Sequence, residues 1–589
     1  MKARVERDPL GEVRVPADAF YGAQTRRAVE NFPISGLTAP PELVTATVMI
    51  KKAAADANAS LGRLDRDIAD AIISAADTIL DGQHRDQFVV DVYQAGAGTS
   101  HNMNTNEVLA NLAEERLGGR RGTYKRVHPN DHVNMGQSTN DVFPTATRLA
   151  VLAAMTNLSS AADGLAGALE QKRDEFTSVL KTGRTHLQDA VPITLGQEFS
   201  GFAANVRHAI ADVERTATQL HELNLGSTAL GTGLNAGDDY TAHAVSHLAT
   251  ATGLPLRPAD DRFRVTQSMG DVLAYSSTVR RLAVEVGKIA SDLRLLSMGP
   301  RAGIAEIQLP SVQPGSSIMP GKVNPSIPEM VNQVCYQVIG CDAAILAAAD
   351  AGQLELNVMM PVIAWNALHA TRILGNAMRV LDERCVAGIR ADEARCRELL
   401  DRSTAIATAL SPYIGYAETA DVAKTAVATG RSIRELVLER ELLEPAQLDS
   451  ILAVEAMTTP GVPGTRAERS SGGRQRAGGG ARPLDDPAGA TAPGENKDTR
   501  GGAIKTSRGS RARAGGRPAG AAGPGERRAA GGGKDASSGP GKREGAAAPP
   551  RKAVRAAGSG PARGSGSGRM AAARPDHGLP RDRGGKRRR

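Results

Sequence analysis

The chain has 589 residues, 41 % hydrophobic and 3 % aromatic, which allows several domains and a sizeable core. Its net charge of +8 is a composite, because residues 1–464 carry 43 Lys+Arg against 54 Asp+Glu while residues 465–589 carry 29 against 10. The body is therefore acidic, and the overall pI near 9.3 does not describe it. The N-terminal stretch MKARVERDPLGEVRVPADAF lacks the apolar run of a signal peptide, and no continuous apolar run of about 18 residues predicts a membrane span. Cys335, Cys341, Cys385 and Cys396 have neither CxxC spacing nor scaffold density, so a soluble, reduced, cytoplasmic protein is expected.

In chain order, polar blocks alternate with long helical patterns. GAGTSHNMNTNE (96–107) and HPNDHVNMGQSTND (128–141) come first. Their composition predicts surface loops, where binding residues concentrate. Leu158, Ala162, Leu165, Leu169 and Phe176 then follow a helical period. TGRTHLQDAVP (182–192) is a third polar block, followed by a second helical seam at Val206, Ile210, Val213, Ala217 and Leu220. From Val272 the seam Tyr275, Val279, Leu282, Val286, Ile289, Leu293, Leu296 keeps a 3,4 spacing, which predicts a helix nearly 40 Å long that packs on other helices. A fourth polar block, PGSSIMPGKVNP (314–325), interrupts the helices with three prolines and two glycines. These patterns predict a mainly all-α protein built on an elongated bundle. After MTTPGVPG (457–464) no Phe, Tyr or Trp occurs, and Gly, Ala, Arg, Pro and Ser dominate. Such a segment cannot bury enough apolar surface to order itself, so residues 465–589 are expected to be a disordered basic tail.

The groups singled out as chemically useful in the four blocks are Thr99, Ser100, Asn102, Ser138, Thr139, Asn140, Thr185, His186, Ser316, Ser317, Lys322 and Asn324. One cation, one imidazole and many neutral donors suit a small anion held by hydrogen bonds. Each block also has a plain structural reading, as turn, cap or helix stop. The sequence contains no GxxxxGK[ST] and no GxSxG, and GTGLNAG (231–237) lacks the preceding apolar strand of a dinucleotide site. His243 and His247 stand four apart without a nearby acidic or cysteine ligand in sequence, which favours packing or surface roles over a metal.

Together and in this order, the four blocks resemble those of the fumarase/aspartase superfamily, whose members release fumarate by eliminating an amine or water. The resemblance runs from ERDPLGEVRVPADAFYGAQTRRA to MTTPGVPG. Thr99-Ser100-His101, Gln137-Ser138-Thr139, PSIPEMVNQV and GQLELNVMMPVIA all lean toward the aspartase branch, with class II fumarase as the alternative. The resemblance implies a homotetramer with each site shared by three subunits. It implies an N-terminal domain (1–141), a central bundle (142–395) and a small C-terminal domain (396–464). By the same resemblance Ser316 is the base, with adjacent Ser317 chemically equivalent, and Lys322, Asn324 and Thr185 hold the α-carboxylate. Thr99, Ser138 and Thr139 hold the β-carboxylate. Asn140 and His186 face the leaving group, and Glu329 pairs with the histidine. His128, Asn130 and Asp131 match a second anion site, with helix capping as the competing role. No organic cofactor is implied; Mg²⁺ activates aspartases, but the sequence shows no ligand cluster for it. For the tail the expectations are non-specific polyanion or nucleic-acid binding, docking on the acidic body, or a coding extension without function.

Overall fold

The computed structural model describes residues 2–465; residues 466–589, nearly all of the basic tail, lie outside the described residues. An antiparallel pair, β1 (Ala3–Asp8) and β2 (Gly11–Pro16), precedes α1 (Ala23–Asn31), α2 (Pro41–Ser60), α3 (Arg66–Leu80) and α4 (Thr99–Arg116). The long helix α5 (Thr139–Glu175) leads into a hairpin, β3 (Leu180–Thr185) and β4 (Gln188–Thr194), and then α6 (Leu195–Ala217). After α7 (Asp238–Thr252) and α8 (Arg262–Gln267) come α9 (Gly270–Leu296), α10 (Ser326–Asp350) and α11 (Met360–Arg384). Short helices α12 (Glu393–Asp401), α13 (Ser411–Ile414), α14 (Tyr416–Thr429), α15 (Ile433–Glu439), α16 (Pro445–Ile451) and α17 (Val454–Met457) complete the described chain.

Every seam residue predicted over 272–296 is buried in α9, and the two shorter seams are buried in α5, α6 and the turns that follow them. At about 1.5–3 kcal/mol for each fully buried large aliphatic side chain, these stripes dominate the stability of the bundle. The helices pack in the order α5–α6–α9–α10–α11 and back to α5, which closes a ring around one core. A second core lies between α3 and α4, and a third within residues 407–451.

One expectation needs correction. The block 96–107 is not a surface loop, because from Thr99 onward it is the start of α4 and Ser100–Glu107 are all buried. Polar side chains survive there because backbone groups pair with them. Glu107 accepts from the N–H groups of Gly22 (2.8 Å), Gln24 (2.9 Å) and Thr25 (3.1 Å), and Asn104 bridges Val89 N–H and Gln87 C=O. By length and composition alone α5 and α10 would reach across a membrane, each with an 18-residue stretch of mean hydropathy 1.2, but both are helices of the ring, where that apolar surface packs on neighbouring helices. A ring helix touches two neighbours and so needs more than one apolar face. On α10, Tyr336, Ile339 and Leu346 remain exposed.

Candidate active site

The first part of the site forms where the N-termini of α4 and α5 meet. Ser138 caps α5: its Oγ accepts from Asn140 N–H at 3.2 Å, and Asp141 Oδ1 accepts from Ser138 N–H at 2.9 Å. The second Asp141 oxygen accepts from Gly226 and Thr228 N–H, at 3.0 and 2.9 Å, which latches the 224–233 loop to the helix start. Burial pushes the Asp141 carboxyl up to about 7, against the three backbone donors that favour its ionised form. Pro144 cannot donate to the carbonyl of Asn140, and Asn224 Nδ2 fills that vacancy at 3.1 Å. Asn140 Nδ2 donates to Ala229 C=O at 2.8 Å. Thr99, Ser138, Thr139 and Asn140 thus sit at two helix N-termini, where free N–H groups and the helix dipole favour an anion. Gly98 lets the two ends touch: it has φ +80°, and a Cβ there would lie 2.1 Å from the Phe143 ring.

The second part is the β3–β4 hairpin. Its register pairs Thr185 with Gln188, leaving His186 and Leu187 as a two-residue turn with φ of 54° and 58°. A turn with both central residues left-handed normally calls for Asn-Gly, so two bulky residues here carry backbone strain of the order of 1 kcal/mol or more each. The turn is exposed. Its root is held by Glu306, which is buried and meets Lys181 at 3.2 Å and Arg184 at 2.9 Å.

The third part is the 314–325 loop, which is a loop as expected. Ser316 Oγ accepts from Ile318 N–H at 3.2 Å and Met319 N–H at 3.0 Å. Ser317 is exposed and receives no such donors among the described residues. The neck closes through Gly315 N–H to Lys322 C=O (2.9 Å) and Asn324 Nδ2 to Gly315 C=O (2.6 Å). Gly315 is required there because a Cβ would lie 2.4 Å from the Lys322 oxygen. Lys322 and Asn324 border a cavity of about 540 Å³ with Ser297, Ile307 and Asp392.

These parts do not converge within one chain. Thr139 begins α5 and the hairpin follows its end, so the 37 residues of the helix separate them by about 55 Å. The Ser316 loop lies at the hairpin's end of the bundle, since Glu306 bonds Lys181 and Arg184, and Asn332 of α10 meets Gly287 and Arg294 of α9. Glu329, in the first turn of α10, makes no hydrogen bond to His186 within the chain.

Residues 11–340 match a family described as Lyase, and residues 406–459 match the Fumarase C C-terminus. The chain belongs to this lyase family. It is 52 % identical over 461 residues to an aspartate ammonia-lyase of Pseudomonas aeruginosa, covering 78 % of this chain and 97 % of that one. With the aspartate ammonia-lyase of Escherichia coli K12 it shares 50 % over 460 residues, 78 % of this chain and 96 % of that one. A fumarate lyase:delta crystallin from Brucella melitensis superposes with TM-score 0.75 at 50 % identity, over 78 % of this chain and all of that one. A class II fumarase from Schistosoma mansoni gives TM-score 0.76 at 37 % identity, again over 78 % and 100 %.

In this lyase His128 is a cap: its Nδ1 accepts from Asp131 N–H at 3.2 Å at the head of the Pro129–Val133 turn, while Asn130 and Asp131 are exposed. His247 lies 3.2 Å from Asp56, a partner on α2 that its own sequence neighbourhood does not reveal. Among the described residues no group of three or more His, Cys, Asp or Glu is arranged to hold a metal ion. Sequence reasoning missed Lys51, Asn134, Asp141 and Glu306, because a buried polar residue differs from a solvated one only by its neighbours. The Ser-x-x-Asp spacing of Ser138 and Asp141 is the one signal that marked a member of this group.

Proposed function

We propose that the chain is an aspartate ammonia-lyase that reversibly converts L-aspartate to fumarate and ammonium. The observation that carries this is the identity of about 50 % to aspartate ammonia-lyases along nearly their whole length, with the hydroxyl cluster intact at two helix N-termini.

Ser316, as its alkoxide, takes the C3 proton. The N–H groups of Ile318 and Met319 that reach its Oγ are the donors such an oxyanion needs, and they favour Ser316 over Ser317. The C3–H electron pair moves onto the β-carboxylate to give the aci-form, which Thr99, Ser138 and Thr139 hold. The C2–N bond then breaks with its electron pair going to nitrogen, the double bond forms between C2 and C3, and the substrate's ammonium group leaves as ammonia without needing an acid; ammonia takes up its proton from solvent. Asn140 Oδ1 accepts from the amino group and His186 orients it. Lys322, Asn324 and Thr185 hold the α-carboxylate, with Asn324 also closing the loop neck.

The site is completed by other copies of the chain in a homotetramer, with Glu329 of one copy supporting His186 of another. The roughly 55 Å between half-sites and the exposed apolar residues of α10 support this. For the division into 1–141, 142–395 and 396–464, the core within 407–451 supports a separate C-terminal part, while α2 shares its apolar residues between the α3–α4 core and the bundle core, to which it gives Leu43, Ile50 and Ala54. Four free, buried cysteines fit the reducing cytoplasm. For the basic tail we retain polyanion binding, tested by deleting 465–589 and measuring salt-dependent DNA retention.

The deciding assay follows fumarate absorbance with L-aspartate and with L-malate as separate substrates. Turnover of aspartate is expected; turnover of malate alone replaces the reading with fumarase. Sedimentation should give four chains, and a fully active monomer would exclude shared sites.

A further inference from the structure

Lys51, on α2, is fully buried, and no role above uses it. Its Nζ donates to Asn134 Oδ1 and Gln137 Oε1, both at 2.9 Å. Asn134 Oδ1 also accepts from Asn102 Nδ2 and Asn106 Nδ2, each at 3.2 Å. The other amide hydrogen of Asn102 goes to Thr139 Oγ1 at 3.1 Å. The chain Lys51–Asn134–Asn102–Thr139 therefore runs from a buried lysine Nζ to a hydroxyl at the proposed β-carboxylate site.

We propose that Lys51 is a positioning residue that sets the hydrogen-bond direction of this chain, so that the Thr139 hydroxyl is left free to donate to the substrate. This rests on the lyase reading of the same site. Burial pulls Lys51 down to about 7, but whether ammonium or amine its Nζ has the two hydrogens it places on Asn134 Oδ1 and Gln137 Oε1, whereas a carboxamide offers either end and a hydroxyl can do both. Lys51 thus forces the oxygen of Asn134 toward itself. That oxygen then demands donors, which turns the amide of Asn102 toward it, and the remaining amide hydrogen meets Thr139 as a donor. Thr139 Oγ1 has no other hydrogen bond among the described residues, so its own hydrogen is available to an anion. Gln137 and Asn134 are locked in the same sense: Gln137 Nε2 donates to Val133 and Met135 C=O, and Asn134 Nδ2 donates to Gln137 C=O. Without Lys51 the Asn134 and Asn102 amides can reverse, and Thr139 then spends its hydrogen on Asn102. Networks of this kind respond as a unit.

The test is a double-mutant cycle on the full chain, read as calorimetric binding of succinate, a dicarboxylate with no amine to lose, and as kcat/KM for L-aspartate. Lys51→Met and Thr139→Val should each weaken succinate binding by about tenfold, and the double variant should be no weaker than Thr139→Val alone. Multiplying losses, or wild-type succinate affinity in Lys51→Met, would overturn the proposal, since a role in folding or long-range charge alone gives independent effects. If Lys51→Met does not fold by circular dichroism, Asn134→Ala breaks the same chain at its next link and is read in the same cycle. Wild-type protein that binds succinate without turning over aspartate would sink the lyase reading and leave this cycle intact. Failure of the wild type to bind succinate overturns the proposal as well.

Discussion

The hydroxyl cluster at the start of α5 and the serine loop before α10, the two halves of the proposed site, are built in opposite ways. Around Ser138–Asp141 side chains from α2, α4 and the 224–233 loop brace the helix start, although the buried Asn102 Oδ1, Asn106 Oδ1, Ser227 Oγ and Thr228 Oγ1 find no partner among the described residues. Around Ser316 the bonds are local, most of the loop is exposed, and only the neck at Gly315, Lys322 and Asn324 is pinned. The difference follows from the tasks. Donors that stabilise developing charge must be oriented before it appears, whereas a base that has to reach over a substrate needs a segment that can move.

The largest effect should come from the loop. Ser316→Ala should lower kcat by at least about 10³-fold while circular dichroism and succinate binding stay near wild type. Retained turnover would remove Ser316 as the base. Gly98→Ala attacks the braced region instead. A methyl group 2.1 Å from the Phe143 ring at φ +80° should cost about 2–4 kcal/mol, read as a fall in Tm together with a rise in KM. The same Tm as wild type would mean that α4 and α5 are not tightly joined.

A third test uses pH. His101 is buried on α4 between Phe88 and Phe143, with Thr47 Oγ1 3.0 Å from Nε2, and burial pulls its imidazole down to about 4. The unfolded chain binds this proton near 6.5 and the folded chain only near 4, so stability is lost as pH falls through that window, by up to about 3 kcal/mol. Asp141 titrates in the opposite sense over an overlapping range, so the comparison is with His101→Met. The Tm of that variant relative to wild type should rise between pH 7 and 5; a constant difference would mean the imidazole is protonated in the fold. The smallest effect is expected from His128→Ala, which removes a cap worth about 0.5–1 kcal/mol and should leave KM for aspartate unchanged. A rise in KM would restore His128 to an anion-binding role.

Most of the bundle could be read from sequence because the heptad seam of 272–296 is a local code: each apolar residue declares its face by its spacing alone. The four polar blocks could be proposed as the seat of chemistry for a similar reason, since clustered hydroxyls and amides with a lysine and histidines have few uses together. What the blocks would become was not legible. SHNMNTNE reads as a loop and is a buried helix, because Glu107 and Asn104 meet backbone groups 15 to 85 residues away. THLQ reads as a polar turn, and only the register of β3 and β4 puts His186 at a strained tip. Lys51, in an ordinary KKAAA helix, looks like any solvated lysine until α4 and the 134–138 turn close over it. Sequence by itself determined the helices, the reaction class and the residue types that serve it. Tertiary structure alone decided which polar groups are buried, which way their hydrogens point, and that the two halves of the site stand at opposite ends of one helix, because burial and hydrogen-bond direction depend on partners distant in the chain.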